Sequence, residues 1–322
     1  MKIIAFDVRF DELVHFDKIK KSLGLEVVST EDPITKENIH LTEGAYGISI
    51  LAYAQIDKEI IDMLRKNGVE HISTRTVGVN HIDVAYAEQK GMLVTNSSYK
   101  PDGVAEFTLM MMLLSLRKYK AAMFRGNVND YSLIGLDGKE IKGSTVGVMG
   151  TGSIGAAVIR LLSGFGCKIL AYSPTGKVKP ELEPYAEFVD LDTILKKSDI
   201  ITLHIPLTKG TKYIINKEAL DKMKQGVTLV NCSRGELMEI DAMIEGIETK
   251  KIGALALDVF EDEAGIYHQD RRTDIIANRN MAYLRQFPNV VMTQHMAFFT
   301  DNSIESMVKC SLESFVKASN AG

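Results

Sequence analysis

The sequence holds little cysteine: Cys167, Cys232 and Cys310 are the only three in 322 residues. Odd in number, widely spaced and without histidines at metal-ligand distances, they offer neither a disulfide framework nor a zinc ligand set, so reduced thiols and no metal site are expected. An excess of one charge is also missing. Lys and Arg total 38 against 42 Asp and Glu, a formal net charge of -4, which gives no electrostatic reason to expect nucleic acid or an anionic membrane as partner. The longest apolar run, Phe107 to Leu116, falls short of the roughly 20 residues that cross a bilayer. The opening "MKIIAFDVRF" lacks the apolar region and small-residue cleavage site of a signal peptide and reads as a first strand, so the cytoplasm is the expected location. No internal repeat or low-complexity segment occurs. Small molecules or other proteins remain as targets.

What is present is a chain longer than a usual single domain with an ordinary 45% hydrophobic content, for which two domains are the first expectation. Short β-rich runs alternate with helical patterns throughout, the signature of parallel sheets flanked by helices. In the N-terminal third, "KIIAFDV", "EVVST", "YGISIL", "HISTRTV" and "MLVTN" read as strands. Between them, "DELVHFDKIKKSLG" and "DKEIIDMLRKNGV" carry apolar residues at helical spacing and stop at Gly24 and Gly68. Pro101 and Gly103 then interrupt the pattern before "VAEFTLMMMLLSLRKYK", a helix apolar nearly all round that must be buried on most sides, as an interdomain or subunit-packing helix would be. A second series follows: "STVGVMG", "KILAYS", "IITLHIP", "VTLVNCS", "GALALDVF" and "NVVMTQH" as strands, then "DNSIESMVKCSLESFVKA" as a last amphipathic helix.

In such sheets the ligand lies beyond the carboxyl ends of the strands, where the strand order switches. Gly150, Gly152 and Gly155 of "GTGSIG" follow a Val-rich strand and open a helix. The first permits a tight turn, the second lets backbone approach a pyrophosphate, and the third lets helix and strand pack closely; the helix N-terminus favours the phosphates. Taken with the strands on both sides, this is a dinucleotide site. At the end of the next strand, Ser173 stands where an acidic residue would hold the ribose hydroxyls and repel a 2'-phosphate. Ser173, Thr175, Lys177 and Lys179 suit a 2'-phosphate, whereas a plain Ser-Pro turn with solvated lysines is the alternative. NAD and NADP both stay open.

Three charged positions lie just beyond late strands: Arg234 in "NCSRGEL", the acids of "LDVFEDE", and His295 in "TQHMAFFT". Hydride reduction of a 2-keto acid needs an anion clamp, a proton donor to the carbonyl oxygen and a group that holds that donor protonated. Arg, His and a carboxylate supply these. Singly, each is as compatible with an ion pair or a satisfied core histidine. His204 in "LHIP" reads as a packing or cofactor-loop residue.

The order "GTGSIG", "NCSRGEL", "LDVFEDE" and "HMAFFT" resembles the D-isomer-specific 2-hydroxyacid dehydrogenase family over nearly the entire chain. "TRTVGVNHID", "YKPDGVAE" and the long segment from Ala264 to Pro288 resemble its D-lactate and D-2-hydroxyisocaproate branch. The resemblance implies a flavodoxin-like substrate domain, residues 1–100 plus 299–322, and a Rossmann dinucleotide-binding domain, residues 101–298, with a cleft between two doubly wound parallel sheets. It implies Arg234 on the substrate carboxylate and keto oxygen, His295 as acid–base and Glu263 as its partner. Val77 and Gly78 would hold the carboxylate through backbone N–H groups, and Tyr99 and Phe298 would line the side-chain pocket. Gly150, Gly152, Ser153, Ile154, Gly155, Ser173, Pro206, Cys232 and Asp258 would contact NAD or NADP, Asp258 near the nicotinamide carboxamide. A homodimer through the helix after Pro101 would complete the assembly.

The implied reaction is reversible reduction of a 2-keto acid to the (R)-2-hydroxy acid, pyruvate to D-lactate first, with 2-ketoisocaproate or phenylpyruvate as bulkier alternatives framed by Tyr53, Met296 and Phe298. A non-enzymatic dinucleotide sensor, as among corepressors of this fold, is the reading from another class. Three positions depart from the family pattern: Gln294 for a proline before the histidine, Phe298-Phe299 for a Phe-Tyr pair, and Ser173 for an acid.

Overall fold

The computed structural model describes residues 1–320, which form two compact units, one over residues 1–100 and from Phe299 onward, the other over Pro101–Phe298. The first begins with β1 (Lys2–Ala5), α1 (Leu13–Leu23), β2 (Glu26–Ser29), β3 (Gly47–Ile50), α2 (Lys58–Lys66), β4 (His71–Thr74), α3 (Val84–Gln89) and β5 (Leu93–Asn96). The strands form one parallel sheet in the order β2-β1-β3-β4-β5, the flavodoxin-like winding. Its middle strands are apolar on both faces because helices cover both: Ile3, Ile4, Ile48, Ile50 and Ile72 are buried. α2 shows how sequence sets a helix here. The Asp57 carboxylate accepts from the Ile60 amide at 3.0 Å to cap its start, and Ile60, Ile61 and Leu64 turn into the core.

The strand expected over "HISTRTV" stops at Thr74; the Arg75 amide still donates to the Ile50 carbonyl at 2.7 Å, and its side chain is buried. Its guanidinium donates to both carboxylate oxygens of Glu12 at 2.8 and 3.3 Å, to Ser49 Oγ at 3.0 Å and to the carbonyls of Phe6 and Asp7. Arg75 and Glu12 are both fully buried, which is tolerable because nearly every donor is satisfied.

The second unit contains α4 (Asp102–Leu116), α5 (Tyr119–Gly126), β6 (Thr145–Met149), α6 (Ser153–Ser163), β7 (Lys168–Tyr172), β8 (Glu187–Phe188), α7 (Leu191–Lys197), β9 (Ile200–Leu203), α8 (Lys217–Lys222), β10 (Val227–Asn231), α9 (Ile240–Glu248), β11 (Ile252–Leu257), α10 (Arg279–Gln286) and β12 (Val290–Met292). Its seven parallel strands run β12-β11-β10-β9-β6-β7-β8, a Rossmann winding whose direction reverses between β6 and β9. The short edge strand β8 leaves no mark in the sequence, since two residues carry no period. The helix expected from Val104 through Lys120 is broken: the Leu116 carbonyl is taken by the Lys139 amide at 2.9 Å, Lys118 adopts φ +51°, and α5 starts afresh. As its all-round apolarity requires, α4 is buried over much of its length, packing on α6 and on β10 and β11.

The chain then returns to the first unit as α11 (Asp301–Ser319), capped by Thr300. Val308, Leu312 and Phe315 pack against Phe16 and Ile19 of α1, and Ser97 donates to the Met307 carbonyl at 3.0 Å. Among the described residues, no helix is long and apolar enough to cross a membrane.

Candidate active site

Beyond β6, at the reversal of strand order, lies the glycine turn. Gly150 has φ +103°, a conformation that side chains rarely adopt, and a side chain there would strike the His204 carbonyl. A side chain on Gly155 would run into the Gly150 carbonyl, so these two glycines are demanded by packing of helix on strand. Gly152 differs: nothing lies within 4 Å of where its side chain would be. The open space adjoins the first turn of α6, whose leading N–H groups, from Ser153, Ile154 and Gly155, have no intrahelical acceptor. A dinucleotide pyrophosphate fits this cradle.

Ser173 follows β7 and opens a turn, its carbonyl accepting from the Gly176 amide at 2.9 Å. Its hydroxyl lies 3.2 Å from that of Thr175. The turn and the two hydroxyls occupy one place, so NAD and NADP both stay open. Pro206 is exposed after β9, its carbonyl held by the Thr211 hydroxyl at 2.6 Å. Cys232 is buried, and burial with the nearby Asp258 charge pushes its thiol up; its side chain is an interior group. Burial drives His204 down to about 3, and its ring bonds the Thr202 hydroxyl at 2.9 Å. It is neutral at physiological pH and unsuited to proton transfer.

The charged residues follow three adjacent strands. Arg234 comes after β10, Asp258 and Glu263 after β11, His295 after β12. Arg234 is held by its neighbours: Asn231 donates to its carbonyl at 2.8 Å, Ser233 donates to the Ile205 carbonyl at 2.8 Å, and Gly235 sits so close to the Phe260–Glu261 peptide that any side chain would collide with it. The Arg and acidic loops are therefore pressed together.

Nδ1 of His295 lies 2.5 Å from Glu263 Oε1. A carboxylate only accepts, so the hydrogen sits on Nδ1 and Nε2 is the atom left for chemistry. Glu263 Oε2 accepts from the Phe260 amide at 2.8 Å. Asp258, fully buried, accepts from the Thr293 hydroxyl at 2.6 Å and from the amides of Met296 and Ala297 at 2.9 Å. It thereby shapes the turn on which His295 stands, at φ +51°. Phe298 meets the His295 ring edge to face, 6.4 Å between centroids.

In the first unit, Val77 and Gly78 follow β4. Their carbonyls accept from Asn96 Nδ2 at 2.7 Å and Thr76 Oγ1 at 2.6 Å, and neither N–H donates to an acceptor among the described residues. Tyr99 is half-buried.

Several residues near these loops carry no signal in the sequence. Arg75, two residues before Val77, carries no signal because a buried arginine cannot be told from a surface one by pattern. Tyr267 is half-buried, and burial followed by the charges of Glu263 and Asp258 pushes its phenol up. Tyr213, with φ +53°, bonds Glu261, which holds its phenol up at about 12.

The glycine turn on a Rossmann sheet with an Arg–Glu–His set beyond its neighbouring strands agrees with sequence comparison. Residues 108–297 match the family described as D-isomer specific 2-hydroxyacid dehydrogenase, NAD binding domain. The chain belongs to this family. An aromatic 2-oxoacid reductase from Clostridium sporogenes is 39% identical over 97% of this chain and 94% of its own. The structure of a D-2-hydroxyisocaproate dehydrogenase superposes with a TM-score of 0.90 at 30% identity, covering 100% of this chain and 98% of that one. A D-lactate dehydrogenase from Treponema pallidum gives 0.89 at 29% identity, over 100% and 97%. This D-2-hydroxyacid dehydrogenase is thus an NAD-dependent oxidoreductase of the CH–OH group, and a purely sensory role falls away.

Proposed function

We propose that this dehydrogenase reversibly reduces 2-keto acids to (R)-2-hydroxy acids with His295 as the acid–base and Arg234 as the anion clamp; the His295–Glu263 pair is the observation that carries the reading. A bound nicotinamide dinucleotide supplies the hydride to the keto carbon. The planar Arg234 fork holds the carboxylate and polarises the keto oxygen. His295 delivers a proton from Nε2 to that oxygen, so that C=O, hydride and proton become CH–OH; in the reverse direction it removes the same proton. Glu263 fixes the tautomer and balances the imidazolium charge. The unengaged N–H groups of Val77 and Gly78 support their role as carboxylate contacts, with Tyr99 and Phe298 beside the substrate side chain. Asp258, fully buried with both oxygens engaged, serves the site by shaping the turn that carries His295.

Pyruvate to D-lactate is the first reaction to assay. The 39% identity to an aromatic 2-oxoacid reductase favours phenylpyruvate as a second reading, with 2-ketoisocaproate between them. Initial rates with the three acids decide, and absence of cofactor oxidation with all of them overturns the proposal.

For the cofactor, the Ser173 and Thr175 hydroxyls with Lys177 and Lys179 nearby support NADP as well as NAD. A higher kcat/KM with NADPH supports a 2'-phosphate site there. A preference for NADH of tenfold, about 1.4 kcal/mol, reduces Ser173 to a turn residue.

A homodimer is supported by apolar exposure. Phe124, Val128, Tyr131, Leu133 and Ile134 are exposed by 71, 63, 79, 83 and 84%, a stretch in and after α5 that water does not favour. Because α4 turns much of its apolar surface into its own unit, we place the contact in α5 and the residues following it, with Met110 and Leu113 of α4 at its margin. Light scattering of a Leu133→Glu, Ile134→Glu double variant should give a monomer. The three free thiols suit a reducing, cytoplasmic setting.

A further inference from the structure

The turn that begins with Glu263 carries a second histidine. The amides of Ile266 and Tyr267 both donate to the Glu263 carbonyl at 3.0 Å, and the next residue, His268, adopts φ +61°. This brings its Nε2 to 3.1 Å from the main-chain oxygen of His295. A carbonyl only accepts, so Nε2 of His268 bears the hydrogen and donates it. The rings of His268, His295 and Phe298 form a triangle, with His268 centred 6.1 Å from His295 and 6.2 Å from Phe298.

Two non-glycine residues in the left-handed region, His268 and His295, therefore face each other. Such backbones persist where their surroundings over-determine them. For His295 there are three determinants: its amide donates to the Asp258 carbonyl at 2.7 Å, its Nδ1 is held by Glu263, and its carbonyl is held by His268. One short turn thus grips the acid–base histidine twice, by side chain through Glu263 and by main chain through His268. We propose that His268 is a positioning residue, donating to the His295 carbonyl so that Nε2 of His295 keeps its direction toward the keto oxygen. The inference rests on the reading of His295 as the acid–base. The His268 ring is itself exposed, so the bond contributes orientation rather than core stability.

The test is a series of His268→Phe, which keeps a ring and loses the donor, His268→Asn, which keeps a donor and accepts positive φ, and His295→Gln as reference. kcat, KM for the keto acid, NADH affinity by fluorescence and Tm are read for each. The expected result is a fall in kcat of roughly tenfold or more for His268→Phe, as small misplacements of reacting groups produce, with NADH affinity and Tm unchanged and with recovery of most of the rate in His268→Asn. Wild-type kcat in His268→Phe, equal impairment of Phe and Asn variants, or a kcat loss that tracks a fall in Tm overturns the proposal. If His295→Gln keeps full activity, the acid–base reading itself has failed; if it is inactive while His268→Phe is wild-type, only the role of His268 has.

Discussion

Glu263 uses its two oxygens for different tasks: Oε1 meets Nδ1 of His295 at 2.5 Å, and Oε2 takes the Phe260 amide at 2.8 Å. The second bond fixes the carboxylate relative to its own loop, so the first fixes the imidazole relative to the sheet. Glutamine at this position has one acceptor oxygen and must abandon one of the two. Glu263→Gln should therefore lower kcat by about 10²-fold, the scale of positioned acid–base catalysis, with NADH affinity retained. Steady-state kinetics beside a fluorescence titration of NADH checks this; an undiminished kcat would separate Glu263 from the chemistry.

Arg234 tests the clamp. Its backbone is held by Asn231, Ser233 and Gly235 whatever its side chain is, so Arg234→Lys should fold normally. A lysine ammonium keeps the charge and loses the planar pair of donors. KM for the keto acid should rise by about tenfold or more, with kcat falling as well because the same fork polarises the carbonyl. Unaltered KM and kcat would make Arg234 a structural residue.

In the first unit, Asp7 is 1% exposed and sits at φ +57°. Burial pushes its carboxyl from 3.8 up to about 6, against the lowering effects of the Leu51 amide and Arg75. The sign follows from linkage: between these values the folded protein holds a proton that the unfolded chain has released, so the contribution is complete below 3.8 and is lost as pH rises through about 6. Asp7→Asn cannot ionise. Its stability relative to wild type should improve by roughly 2 kcal/mol between pH 4.5 and 7.5, read as the difference in urea midpoints at the two pH values. A gap that stays constant would mean Asp7 is ionised throughout.

How much of this was legible in the sequence depends on range. The doubly wound sheets were, because apolar runs such as "IITL" and "VTLVN" mark strands buried on both faces, and apolar residues at helical spacing closed by Gly24 and Gly68 mark the helices between the first strands. Gly150 and Gly155 were legible too, through their spacing in one short motif, since the positive φ of Gly150 and the contact of Gly155 with the Gly150 carbonyl both arise within that turn. The break of the helix after Leu116 was not, because it depends on the Lys139 amide taking a carbonyl from a distant part of the chain. Arg75 and His268 share that difficulty. Each works through partners far away in sequence, Glu12 for one and the His295 carbonyl for the other, and no period or spacing announces such a bond.

The glycine turn allows a separation of folding from binding. Gly152 has φ -63°, an ordinary value for alanine, and no atom lies within 4 Å of the added methyl. Gly155→Ala, by contrast, must displace the Gly150 carbonyl and with it the packing of α6 on β6. Gly152→Ala should therefore keep the wild-type Tm while NADH affinity falls by tenfold or more, about 1.4 kcal/mol, because the methyl occupies space that a pyrophosphate needs. Gly155→Ala should lower Tm and affinity together, since overpacking a tight contact costs about 1–3 kcal/mol. Thermal melts with and without NADH distinguish the two. If Gly152→Ala binds NADH as the wild type does, the open space beside α6 is not where the phosphates lie, and the dinucleotide must approach the sheet by another route.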